Sequence, residues 1–64
     1  MSYRLIVYKK DEEPNIHHFD NYDLMDYSAT LLQFSSNPNL VQVVAQEEKL
    51  IGWETLFRIN YNKK

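Results

Sequence analysis

His17 and His18, followed by Asp20 and Asp23, form the one group of metal-ligand types in this 64-residue chain. Neighbouring residues of an extended segment point to opposite faces, so the two imidazoles do not readily share an ion. The chain has two histidines and no cysteine, which leaves a tetrahedral site without its remaining ligands. The nucleophile candidates Ser2, Ser28, Ser35 and Ser36 are not framed by the glycines of a nucleophile elbow. A single glycine, Gly52, excludes a glycine-rich phosphate loop. Paired carboxylates do acid–base work only where an apolar cleft separates their pKa values, and one layer of helix on sheet offers little depth. No catalytic, metal-binding or cofactor-binding residue is therefore assigned. The chain is expected to act without chemistry of its own.

Charge is distributed more informatively than it is balanced. The net charge is −2, yet no lysine or arginine occurs between Asp11 and Gln46. That stretch holds Asp11, Glu12, Glu13, Asp20, Asp23 and Asp26. The cations are Arg4, Lys9, Lys10, Lys49, Arg58, Lys63 and Lys64, all near the two ends. Acids at a helix N-terminus complement its dipole, which accounts for Asp20 and Asp23 without any partner. It leaves Asp11, Glu12, Glu13 and Asp26 as a candidate partner-binding acidic surface, expected on one side of the fold.

The elements that would position these groups follow from periodicity. Tyr3 to Lys9 carries apolar groups on both faces, as an inner strand does. Lys9 to Asn15 reads as an exposed, proline-containing turn, and Ile16–Phe19 as a short second strand. Asp20 is the expected helix N-cap, with Asp23 as its capping-box acid. From Tyr22 to Ser35, Leu24, Tyr27, Leu31 and Phe34 form the expected buried stripe, widened by Met25 and Leu32. Ser35 to Asn39, with Pro38, ends the helix. Leu40 to Gln46 predicts a strand with Val41, Val43 and Ala45 on its core face, and Glu47 to Lys49 a hairpin turn. Leu50 to Tyr61 alternates apolar and polar residues. That favours a strand over the helical alternative through Trp53, Leu56, Phe57 and Asn60. Gly52 is expected to mark a bulge in it.

The expected fold is α+β: a small antiparallel sheet of three to four strands with one helix on one face, in the order β-(β)-α-β-β. Residues 1–64 read as one domain with a frayed tail at 62–64. Sixty-four residues leave a thin margin of stability, although 44% are hydrophobic and 14% aromatic, which enlarges the core available. Self-association or a permanent partner is the natural remedy, and a homodimer is expected. By alternation, Ile6, Tyr8, Leu40, Val44, Leu50 and Leu56 fall on the sheet face opposite the core, a candidate dimer or partner surface. Absence of cysteine and of any long apolar run favours a cytoplasmic protein that does not enter a membrane.

The function expected from these features is that of a small protein-interaction module. One form would be an inhibitor whose acidic loop and helix engage the basic cleft of a nucleic-acid-processing enzyme. Mobile elements and phages supply such proteins, an analogy of size and charge alone. The alternatives are a nucleic-acid-binding regulator using Arg4, Tyr8 and Arg58 on the sheet face, and a structural or assembly subunit. The net acidity weighs against the nucleic-acid reading.

Overall fold

The computed structural model describes residues 2–34 and 38–61. The expected tail at 62–64 and residues 35–37 of the expected helix stop at 35–39 lie outside the described residues. Four strands and one helix follow in the order β1 (Tyr3–Lys9), β2 (Asn15–Phe19), α1 (Tyr22–Gln33), β3 (Leu40–Lys49) and β4 (Gly52–Asn60). The strands form one antiparallel sheet ordered β2-β1-β3-β4. This is the α+β architecture that the periodicity implies. No helix among the described residues is long and apolar enough to cross a membrane.

The ladder assigns every side chain to a face. Leu5 pairs with His17 on one side and Ala45 on the other, and Val7 pairs with Val43. Leu5, Val7, Val43 and Ala45 are buried beneath the helix, with Met25, Ala29 and Leu40 completing the core. Tyr3, Phe19, Leu32, Phe57, Ile59 and Tyr61 pack around its edge.

The helix turns a different face inward from the one expected. Met25 is fully buried and Ala29 nearly so, whereas Leu31 is 54% and Phe34 81% exposed. Leu24 and Tyr27 are also exposed. Residues three and four apart share a helix face, so Met25, Ala29 and Leu32 form one apolar arc and Leu24, Tyr27, Leu31 and Phe34 a second. The first meets the sheet; the second does not. The N-cap is Asn21, not Asp20. Its Oδ1 accepts from the amides of Asp23 and Leu24 at 2.7 and 3.2 Å, satisfying two of the donors a helix start leaves open.

Two bulges re-aim side chains that simple alternation misplaces. Tyr8 pairs with Gln42 but Lys9 with Leu40, which leaves Val41 as the extra residue. Val41 is accordingly exposed and Leu40 turns into the core, the reverse of the expected order. Ala45 pairs with Phe57 but Gln46 with Thr55, so Leu56 is extra in β4. The odd positions of β4 therefore divide: Phe57 and Ile59 lie under the helix layer, Trp53 and Thr55 on the opposite face. The hairpin turn is Leu50–Ile51, later than Glu47 to Lys49, because β3 continues to Lys49 opposite Gly52. Gly52 has φ +86, so its place is the turn that needs a left-handed residue, while the bulge falls at Leu56.

Met25→Ala should lower unfolding free energy by about 2–5 kcal/mol, against less than about 1 kcal/mol for Leu31→Ala. Urea melts with the opposite ranking would restore Leu31 to the core. A second expectation concerns Tyr61, whose hydroxyl is buried without a hydrogen-bond partner among the described residues. Tyr61→Phe should leave stability unchanged or raise it by about 1 kcal/mol. Burial also pushes the Tyr61 pKa up, so the unfolded chain ionises first and stability falls as pH rises past about 10. Lys49 acts in the same direction, because Glu47 and Glu54 hold it protonated. Y61F should therefore reduce the alkaline loss in melting temperature without abolishing it.

Candidate functional site

The open sheet face is tied together row by row. Ile16, Ile6, Val44 and Arg58 stand in register across the four strands. Ile6 and Val44, at 9% and 6% exposed, are already buried within this single layer. In the next row, Arg4 Nε donates to Gln46 Oε1 at 2.7 Å and Gln46 Nε2 donates to Thr55 Oγ1 at 3.2 Å. The Arg4 guanidinium lies 4.1 Å from the Trp53 ring centroid, and the His18 ring is 6.2 Å from Trp53. Beyond Tyr8, which is half-buried, Gln42 Nε2 donates to Asn60 Oδ1 at 2.8 Å. Stacking on Trp53 and bonding to Gln46 occupy Arg4, so this cation is held by its own chain.

Of the residues assigned to that face by alternation, Ile6, Tyr8 and Val44 lie there. Leu40 does not: the bulge at Val41 places it in the core. Leu50 belongs to neither face, since it stands fully exposed on the β3–β4 turn beside an equally exposed Ile51. Leu56 is the bulged residue of β4 and is partly exposed.

The acidic residues do not gather on one spot. Asp11, Glu12 and Glu13 are exposed in the β1–β2 turn, where Asp11 adopts φ +62. That turn lies at the end of the sheet where β3 begins, as the 2.7 Å bond from the Lys10 amide to the Asn39 carbonyl shows. Asp20, Asp23 and Asp26 belong to the other end, where Tyr22 packs edge-on against Tyr3. The five residues of β2, about 17 Å long, separate the two groups. The acids thus stand before and after β2 and along α1, all on the β2–α1 side of the chain trace.

On that side lies a feature the sequence reading missed. A groove of about 290 Å³ opens between α1 and β2, lined by Leu5, His17, Phe19, Ser28, Leu31 and Leu32. The exposed arc of Leu24, Tyr27, Leu31 and Phe34 continues it over the outside of the helix, with Asp23 and Asp26 on the polar arc beyond. The signal was present, because α1 is apolar on more than one face. A helix of a two-layer domain needs only one. His17 lines this groove while His18 packs on Trp53, so the histidine pair is divided between the two sides of the sheet. No group of three or more ligating side chains comes together among the described residues.

If the outer arc is free surface, the double variant Leu24→Gln/Phe34→Gln should change stability by no more than about 1 kcal/mol. It should also weaken binding of a fluorescent apolar dye. A cooperative loss of structure would show instead that these side chains support the fold.

Comparison of the chain with family models, with curated proteins and with solved structures gives no match.

Proposed function

We propose that this protein is a small non-enzymatic interaction module whose β2–α1 side engages a basic partner protein. The observation that carries the reading is the second apolar arc of α1, exposed and continuous with a groove, on a stretch that has six carboxylates and no lysine or arginine. An apolar patch on so small a domain costs solubility unless something covers it. Acids around such a patch steer a cationic partner toward it and reject an anionic one. Proteins that grip nucleic acid line their clefts with lysine and arginine. The basic cleft of a nucleic-acid-processing enzyme is the partner class that this combination of charge and apolar surface suits best. The open face is the weaker candidate, since Ile6 and Val44 are already shielded and Arg4 is engaged by Trp53 and Gln46.

Affinity capture from the native host would name the partner, and association kinetics would test the reading. Asn21 caps the helix, so Asp20 can be neutralised without removing the cap. D11N/E12Q/E13Q and D20N/D26N, made separately and together, should keep the melting temperature. The combined variant should slow association by about tenfold at low salt and flatten its salt dependence. Wild-type kinetics in the combined variant would remove the acids from the function.

A further inference from the structure

We infer that the protein captures an extended, cationic segment of its partner as a fifth strand on β2, with an apolar side chain of that segment seated in the groove against α1. The inference rests on the reading of this side as a protein-binding surface and adds the mode of recognition and the chemistry of the ligand.

The two edges of the sheet are built differently. β4, at one edge, carries Glu54 and Arg58 and is interrupted by the bulge at Leu56. Charges and bulges are the devices that keep an edge from pairing with another chain. β2, at the other edge, is Asn15-Ile16-His17-His18-Phe19, with no lysine, arginine, carboxylate or proline, and its ladder to β1 is unbroken. Its outward side meets no further strand among the described residues and can template one. Five residues span about 17 Å, enough for a short augmenting segment.

What stands beside that edge decides what can be added. An incoming strand alternates its side chains between the two sheet faces. On the helix side they meet the groove of His17, Phe19, Leu31 and Leu32, and on the open side they lie beside Ile16 and His18. Glu12 and Glu13 precede β2 and Asp20 follows it, so carboxylates bracket both ends of the added strand. The complementary ligand is a segment with apolar residues at alternate positions and a cation at each end. A second copy of this chain is the poorer occupant, because pairing β2 with its own image brings the same acids together.

The test uses blocked synthetic peptides titrated into the ¹⁵N-labelled full chain. The probe is Arg-Arg-Val-Thr-Leu-Thr-Val-Arg-Arg. One control carries glutamate in place of every arginine, and another carries N-methyl groups on the amides that would face β2. The probe should shift the amides of β2 and the groove saturably, and should slow their hydrogen exchange. Both controls should bind about tenfold more weakly or worse. Leu31→Ser should weaken the probe several-fold while the spectrum keeps its dispersion. An N-methylated peptide that binds as well as the probe overturns strand addition and leaves the acidic-surface reading standing. A glutamate peptide that binds as well overturns the charge argument beneath both. No saturable shift at about 1 mM probe, or shifts that map to β4, overturns the inference. So do concentration-dependent β2 shifts in the free protein, which would give the edge to a second copy.

Discussion

One helix must cover a four-stranded sheet, and it is too narrow to do so. A helix with its side chains is about 10–12 Å wide, and neighbouring strands are about 4.8 Å apart, so α1 shields little more than two strands. It is centred on β1, with β2 and β3 to either side and β4 beyond its reach, and there Leu5, Val7, Val43 and Ala45 meet Met25 and Ala29. Everything outside that strip is protected in some other way. Phe57 and Ile59 on β4 stay half-buried at the margin of the core. The open face closes over Ile6 and Val44 with Arg4, Trp53 and a chain of side-chain hydrogen bonds. The remaining shortfall appears as exposed apolar surface, and it is concentrated on the β2 flank of the helix.

That distribution separates two roles that a small domain usually has to combine. The open face is sealed by polar and aromatic side chains that satisfy one another and leave little to offer a partner. The β2–α1 side keeps an unprotected strand edge, a groove and an apolar helix flank, and from Asp11 through α1 its formal charges are all negative, with Lys9 and Lys10 standing just before them. On the proposed reading, stability and recognition fall to opposite surfaces. A change that strengthens one need not disturb the other.

The sequence makes the sheet and the single helix readable because their periodicities are local. β1, β3 and β4 show as alternating runs, and Ile16–Phe19 lies within β2. The face that α1 buries was not readable in the same way. Its two apolar arcs have equal claims by spacing, and the longer one, from Leu24 to Phe34, faces outward. Met25 and the small Ala29, not the larger side chains of the outer arc, are the residues that the helix buries against the sheet. Asp20 and Asn21 are adjacent and equally good caps, so sequence alone does not separate them. The bulges were hidden for a plainer reason. An extra residue at Val41 or Leu56 leaves the composition of a strand unchanged and alters only where the side chains go. Leu40 was misassigned on that account, and Trp53 and Thr55 share a parity with Phe57 while occupying the other face.

The Leu56 bulge has a consequence for how this chain can vary in length. Thr55 and Phe57 already lie on opposite faces, as adjacent residues of an unbroken strand would. Losing Leu56 would join them directly, restore an uninterrupted ladder to β3, and send no side chain to the wrong side. At most other strand positions a one-residue deletion inverts everything beyond it. A one-residue difference in length is therefore accommodated at position 56, as at the matching bulge of Val41, inside a strand, where length differences are ordinarily least tolerated.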